Sequence, residues 1–108
     1  MKPQFVHTGI PITNKKPGMR HVPHLSVWVS NPEDYDLAIE YVKYEEGTPF
    51  PEILHKNPHI CYKVDDMDPY FEKADAVIWG PGELNETMEF AYIMVDNTIF
   101  ELQAPKKK

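Results

Sequence analysis

The stretch Pro58-His59-Ile60-Cys61-Tyr62-Lys63-Val64-Asp65-Asp66-Met67-Asp68-Pro69 decides how this chain is read. Its first part, His59 to about Val64, predicts a strand. Its second part is a helix entry. Asp68 is suited to cap, and Pro69 fits the first helical position, where its missing N–H would have no partner anyway. The helix is expected to be short, about 69–74. The Asp65-Asp66 and Asp68 cluster reads as helix capping and not as a calcium loop, because no twelve-residue ligand pattern follows.

Strand signals continue on both sides. Asp75 to Trp79 predicts a strand stopped at Gly80-Pro81-Gly82, and Glu89–Val95 with Thr98–Gln103 predicts a hairpin turning on Asp96-Asn97. The tail Pro105–Lys108 is expected to be disordered. Upstream, Gln4–Ile12 reads as the first strand, and the polar run Thr13–Gly18 cannot hold a long helix. His21–Ser30 predicts a strand, Asn31-Pro32-Glu33-Asp34 a turn, and Asp36–Tyr44 the returning strand of a hairpin. Glu45–Pro58, with three prolines, reads as a connecting loop. Strands dominate with one clear helix, so the fold class is α+β.

Composition narrows the function. The 108 residues suit one domain of ordinary size, with 42% hydrophobic side chains to build a core. Eleven Lys and Arg against 17 Asp and Glu leave a net charge of −6, which argues against nucleic acid or an anionic membrane as partner. No apolar run reaches the roughly 18–20 residues of a membrane span, and no secretory signal opens the chain. A single Cys excludes an internal disulfide framework and fits a reducing cytoplasm. Eleven prolines, about twice the usual share, predict short strands and many turns.

Comparing the chain with itself brings out a repeat. Each half opens on a strand with an early histidine, His7 and His59, and closes on a strand with an apolar–Glu pair, Ile39-Glu40 and Phe100-Glu101. The separations are 33 and 42 residues, and the nine-residue difference matches a helix and cap present only in the second half. Module one runs over about 4–44, a linker over 45–58, module two over about 59–103 and a tail over 104–108. Two imidazoles and two carboxylates, His7, Glu40, His59 and Glu101, are a donor set that Zn, Ni, Co, Mn or Fe accepts with positions left for water or substrate. Taken singly, each of the four has an ordinary explanation as a surface or hydrogen-bonded residue. Their recurrence at duplicate positions favours a shared site.

The strings Phe5-Val6-His7-Thr8-Gly9-Ile10, His59 to Asp68 and Ile99-Phe100-Glu101-Leu102 resemble the vicinal oxygen chelate superfamily, which includes glyoxalase I, bleomycin-resistance proteins and extradiol dioxygenases. The resemblance covers nearly the whole chain, about Phe5 to Gln103. It implies a single domain of two βαβββ modules forming an incomplete barrel, the first-module helix being reduced or missing at Thr13–Met19. It also implies a divalent metal held by His7, Glu40, His59 and Glu101, with Glu101 or Glu40 serving as base toward a small molecule bearing vicinal oxygens. The activity implied is that of a metal-dependent lyase or isomerase of the glyoxalase I type. The alternatives are a non-catalytic binding protein like the bleomycin-resistance proteins, and a dioxygenase. A cytoplasmic homodimer with its sites near the interface is part of the same expectation.

Other residues carry weaker signals. His21 and His24, three apart on one strand, point to opposite faces and cannot chelate together, though His24 could line the cleft. His55 is expected to be exposed, and Trp28, Trp79, Tyr92 and Met94 to belong to core or pocket walls. Cys61 shares the strand face of His59 and reads as a buried, inert thiol.

Overall fold

The computed structural model describes residues 2–107. Its strands are β1 (Gln4–Pro11), β2 (Arg20–Val22), β3 (Val27–Val29), β4 (Ile39–Tyr44), β5 (His59–Lys63), β6 (Ala76–Glu83), β7 (Met88–Val95) and β8 (Thr98–Pro105). Two short helices, α1 (Glu52–Lys56) and α2 (Asp68–Lys73), interrupt them. The strands form one mixed eight-stranded sheet in the order β2-β3-β4-β1-β5-β8-β7-β6, an α+β fold. The chain divides into two compact units, one spanning His7–His59 and the other the residues up to Val6 and from Ile60 onward. Among the described residues no helix is long and apolar enough to cross a membrane.

In the unit His7–His59, β1 pairs in parallel with β4, placing Gly9 opposite Glu40. Strand β4 pairs antiparallel with β3, and β3 antiparallel with β2. Side chains alternate across a sheet, so His7, Gly9, Glu40 and Val42 share one face and Tyr41 and Trp28 the other. The expected strand His21–Ser30 is in fact two strands. Pro23 fixes φ and offers no N–H, so a 3-10 turn forms over Pro23–Leu25, and Ser26 in the left-handed region (φ 51°) sends the chain back. No helix forms over Thr13–Met19. Instead that segment lays Lys15 Nζ 4.0 Å from the Trp28 ring centroid and Lys16 Nζ 4.6 Å from that of Tyr41. Two cations on two aromatic faces thus cover the side of the sheet that a helix would otherwise shield. The expected loop 45–58 contains α1, which follows Pro51 and fully buries Leu54.

In the other unit, β8 pairs antiparallel with β7, setting Tyr92 opposite Glu101, and β7 pairs antiparallel with β6, setting Trp79 opposite Tyr92. Asp96 and Asn97 both have positive φ, as the hairpin turn requires. One face of β7 and β8 carries Ala91, Ile93, Leu102 and Ala104, which form a core with Val64 and Met67 and take Tyr70, Phe71 and Ala74 of the helix segment. Helix α2 starts one residue earlier than expected, and Met67 stands at its cap without a side-chain bond. Asp66, and not Asp68, supplies the carboxylate, accepting from the Asp68 N–H at 3.0 Å. Strand β6 does not stop at Gly80. It runs on to Glu83 through two register shifts.

The expected disordered tail is partly ordered. Strand β8 extends to Pro105, the Lys106 N–H donates to the Thr87 carbonyl at 2.9 Å, and the Lys106 ammonium pairs with Glu83 at 2.9 Å. Lys107 pairs with Asp68 and Asp66. Lys108 lies outside the described residues.

Candidate metal centre

His7 lies mid-strand on β1 with its side chain on the buried face, 4% exposed. Glu40 is the second residue of β4, entered through Ala38 in the left-handed region (φ 53°). His59 opens β5 directly after Pro58 and is 1% exposed, while Glu101 sits in the middle of β8 at 4%. These four residues form a buried His/Glu cluster that could hold a metal ion. Each offers one ligand atom, and all four atoms lie within 4.8 Å of one another.

Simple geometry tests the fit. Metal–nitrogen and metal–oxygen bonds of about 2.0–2.2 Å separate ligand atoms on opposite sides of an ion by at most about 4.2–4.4 Å. A spread of 4.8 Å therefore closes onto one ion with shifts of a few tenths of an ångström. His7 Nε2 and Glu40 Oε1, at 3.3 Å, already stand at the distance of neighbouring ligands in one coordination shell. A buried carboxylate is costly unless it is matched by charge or hydrogen bonds. For Glu101 part of that match is the Gln103 amide, whose Nε2 donates to Oε2 at 3.2 Å. The His7 and His59 rings meet edge to face, with centroids 5.9 Å apart.

Gly9 is the supporting residue that a search for ligand chemistry misses. A Cβ there would stand 2.1 Å from His59 Cε1 and 2.2 Å from its Nε2. Only hydrogen leaves room for the ring. A glycine in a strand interior, two residues after a histidine, is itself the signal of a close approach. Gln103 carries the same kind of signal, lying two residues from Glu101 on one strand face.

The remaining histidines stand apart. His24 is exposed on the 3-10 turn and does not belong to the four-residue cluster. His21 stacks on Trp28 and pairs with Glu45 at 3.2 Å. His55 is not exposed as expected. It is half-buried on α1, stacked on Tyr44, and its Nε2 bonds to the Phe50 carbonyl at 2.9 Å. Cys61 is fully buried and reduced. Trp79 packs against Phe90, 4.9 Å between centroids, on the strand face that also carries Tyr92 and Glu101.

No protein-family model and no curated protein matches the chain. Among solved structures, the crystal structure of hypothetical protein BH1468 from Bacillus halodurans C-125 is similar, with a TM-score of 0.63 over 100% of this chain and 98% of that one. The two sequences are 17% identical, so the likeness is one of fold.

Proposed function

We propose that this chain is a divalent-metal-dependent lyase or isomerase of the vicinal oxygen chelate type, acting on a small molecule with neighbouring oxygens. The observation that carries the reading is the convergence of His7, Glu40, His59 and Glu101 to within 4.8 Å. The chain order β5-α2-β6-β7-β8, with β8 beside β5 in the sheet, supports the βαβββ reading of the second half and an incomplete barrel.

In this reading the four side chains hold Zn, Ni, Co, Mn or Fe. When bound, the ion supplies Lewis acidity toward a carbonyl oxygen, which favours loss of the proton on the adjacent carbon. The proton goes to a glutamate. Glu101 is buried and held by Gln103, whereas Glu40 is half-buried. The looser setting favours Glu40 as the group that swings to take the proton, and Glu101 as the fixed one. Trp79, Phe90 and Tyr92 give the Glu101 side of the sheet an apolar wall that keeps water from a carbanionic centre. A homodimer in the cytoplasm belongs to the same proposal, and light scattering at the 12.6 kDa monomer mass would remove the dimer from it.

Metal analysis of the purified protein, followed by melting curves with added Zn²⁺, Ni²⁺ or Mn²⁺, tests the reading. Metal at a hundred times its dissociation constant adds about 2.7 kcal/mol. For a domain of this size that raises Tm by roughly 10 °C or more. His59→Ala should abolish the rise. A protein that carries no metal and melts identically with and without these ions refutes the metalloenzyme.

A further inference from the structure

Helix α2, six residues long, spans only about 9 Å and leaves part of the strand face it packs on uncovered. There a cavity of about 490 Å³ opens, within the roughly 300–1,000 Å³ typical of small-molecule sites. Its floor is apolar, made by Val64, Ile93, Leu102, Val95 and Phe100. Phe100 and Leu102 flank Glu101 in sequence and so face the opposite side of β8, away from the candidate metal centre. Tyr62, Tyr70, Lys2 and Lys73 complete its lining, with both lysines exposed to solvent. Both of its charged residues are cations, on a chain with net charge −6. Neither lysine has an ion-pair partner among the described residues, whereas Lys56, Lys106 and Lys107 all do.

We propose that this cavity binds a medium-chain aliphatic carboxylate, its tail on the apolar floor and its carboxylate between Lys2 and Lys73. The charge pattern selects this occupant. Two lysines and no acidic residue at the cavity attract an anionic head group, give a neutral ligand no such gain, and repel a cationic amphiphile. Single-chain size follows from the volume, which is too small for a diacyl lipid.

The test is a methyl-detected NMR titration of the full chain with sodium octanoate and sodium decanoate. Saturable shifts are expected at Ile93, Val95 and Leu102, with decanoate bound roughly tenfold more tightly than octanoate, because each buried methylene adds about a three- to fourfold gain. The double variant Lys2→Glu/Lys73→Glu changes exposed side chains, so its ligand-free spectrum should remain that of the folded protein while decanoate binding weakens about tenfold or more. Equal binding of decyltrimethylammonium, or shifts centred on other methyls, overturns the proposal. So does a ligand-free, concentration-dependent shift of the same methyls, which would mean that a second copy covers the face. Sedimentation with phosphatidylglycerol vesicles without saturable decanoate binding would assign the lysines to a membrane and likewise overturn it.

Discussion

Adding one methyl group to Gly9 should disable the metal centre without touching any ligand. The Cβ of a Gly9→Ala variant would stand 2.2 Å from His59 Nε2, where ordinary contact begins at 3.4 Å, so the ring must retreat by about 1.2 Å. Coordination tolerates only about ±0.2 Å in bond length, so such a retreat takes His59 out of the shell. Loss of a supporting group alone typically costs about 10–100-fold in metal affinity, and displacing a ligand should cost at least as much. The ring is 1% exposed, so displacing it within the interior adds about 1–3 kcal/mol of overpacking destabilisation. Titration calorimetry with Zn²⁺ reads the first effect and melting of the metal-free protein the second. A double-mutant cycle separates them, because in a His59→Gly background Gly9→Ala should cost almost nothing. Zn²⁺ affinity within twofold of the parent in Gly9→Ala would refute the close approach and the role it gives His59.

Three further outcomes follow from the packing. Leu54→Ala removes a side chain with no exposed surface and should lower stability by about 2–5 kcal/mol in denaturant melts, which a mere connecting loop would not show. Ala38→Gly should raise stability by about 1 kcal/mol, since φ 53° places a Cβ-bearing residue in the left-handed region. Lys15→Ala and Lys16→Ala should each cost about 0.5–1 kcal/mol if the segment is held by its contacts with Trp28 and Tyr41, and additive losses in the double variant would show that the two contacts act separately.

The strand-rich α+β class was legible from alternation and turn residues, because those signals act over a few neighbouring positions. Asp96-Asn97 is such a case, its positive φ readable from residue type alone. The misreadings came where a local preference met a longer-range contact. Pro23 near the start of an apolar run looked tolerable in one strand, yet the pairing of β2 with β3 needed a reversal there. The segment 45–58 looked like a loop because five helical residues are too few to show a period, and only the burial of Leu54 explains why α1 forms. The tail reads as disordered from its own residues because Glu83, Asp66 and Asp68, which pair with Lys106 and Lys107, are distant in sequence.

Which side chains have ligand chemistry was legible along the chain. Residue type is a local property, and the repeat of His and Glu made the donor set readable at His7, Glu40, His59 and Glu101. Distances between the donors come from strand pairing. The 3.3 Å between His7 and Glu40 depends on β1 lying parallel to β4 in one register. The seat of the His59 ring depends on a missing Cβ fifty positions earlier in the chain. Such contacts arise from pairing between strands remote in sequence, and no pattern along a single strand encodes them.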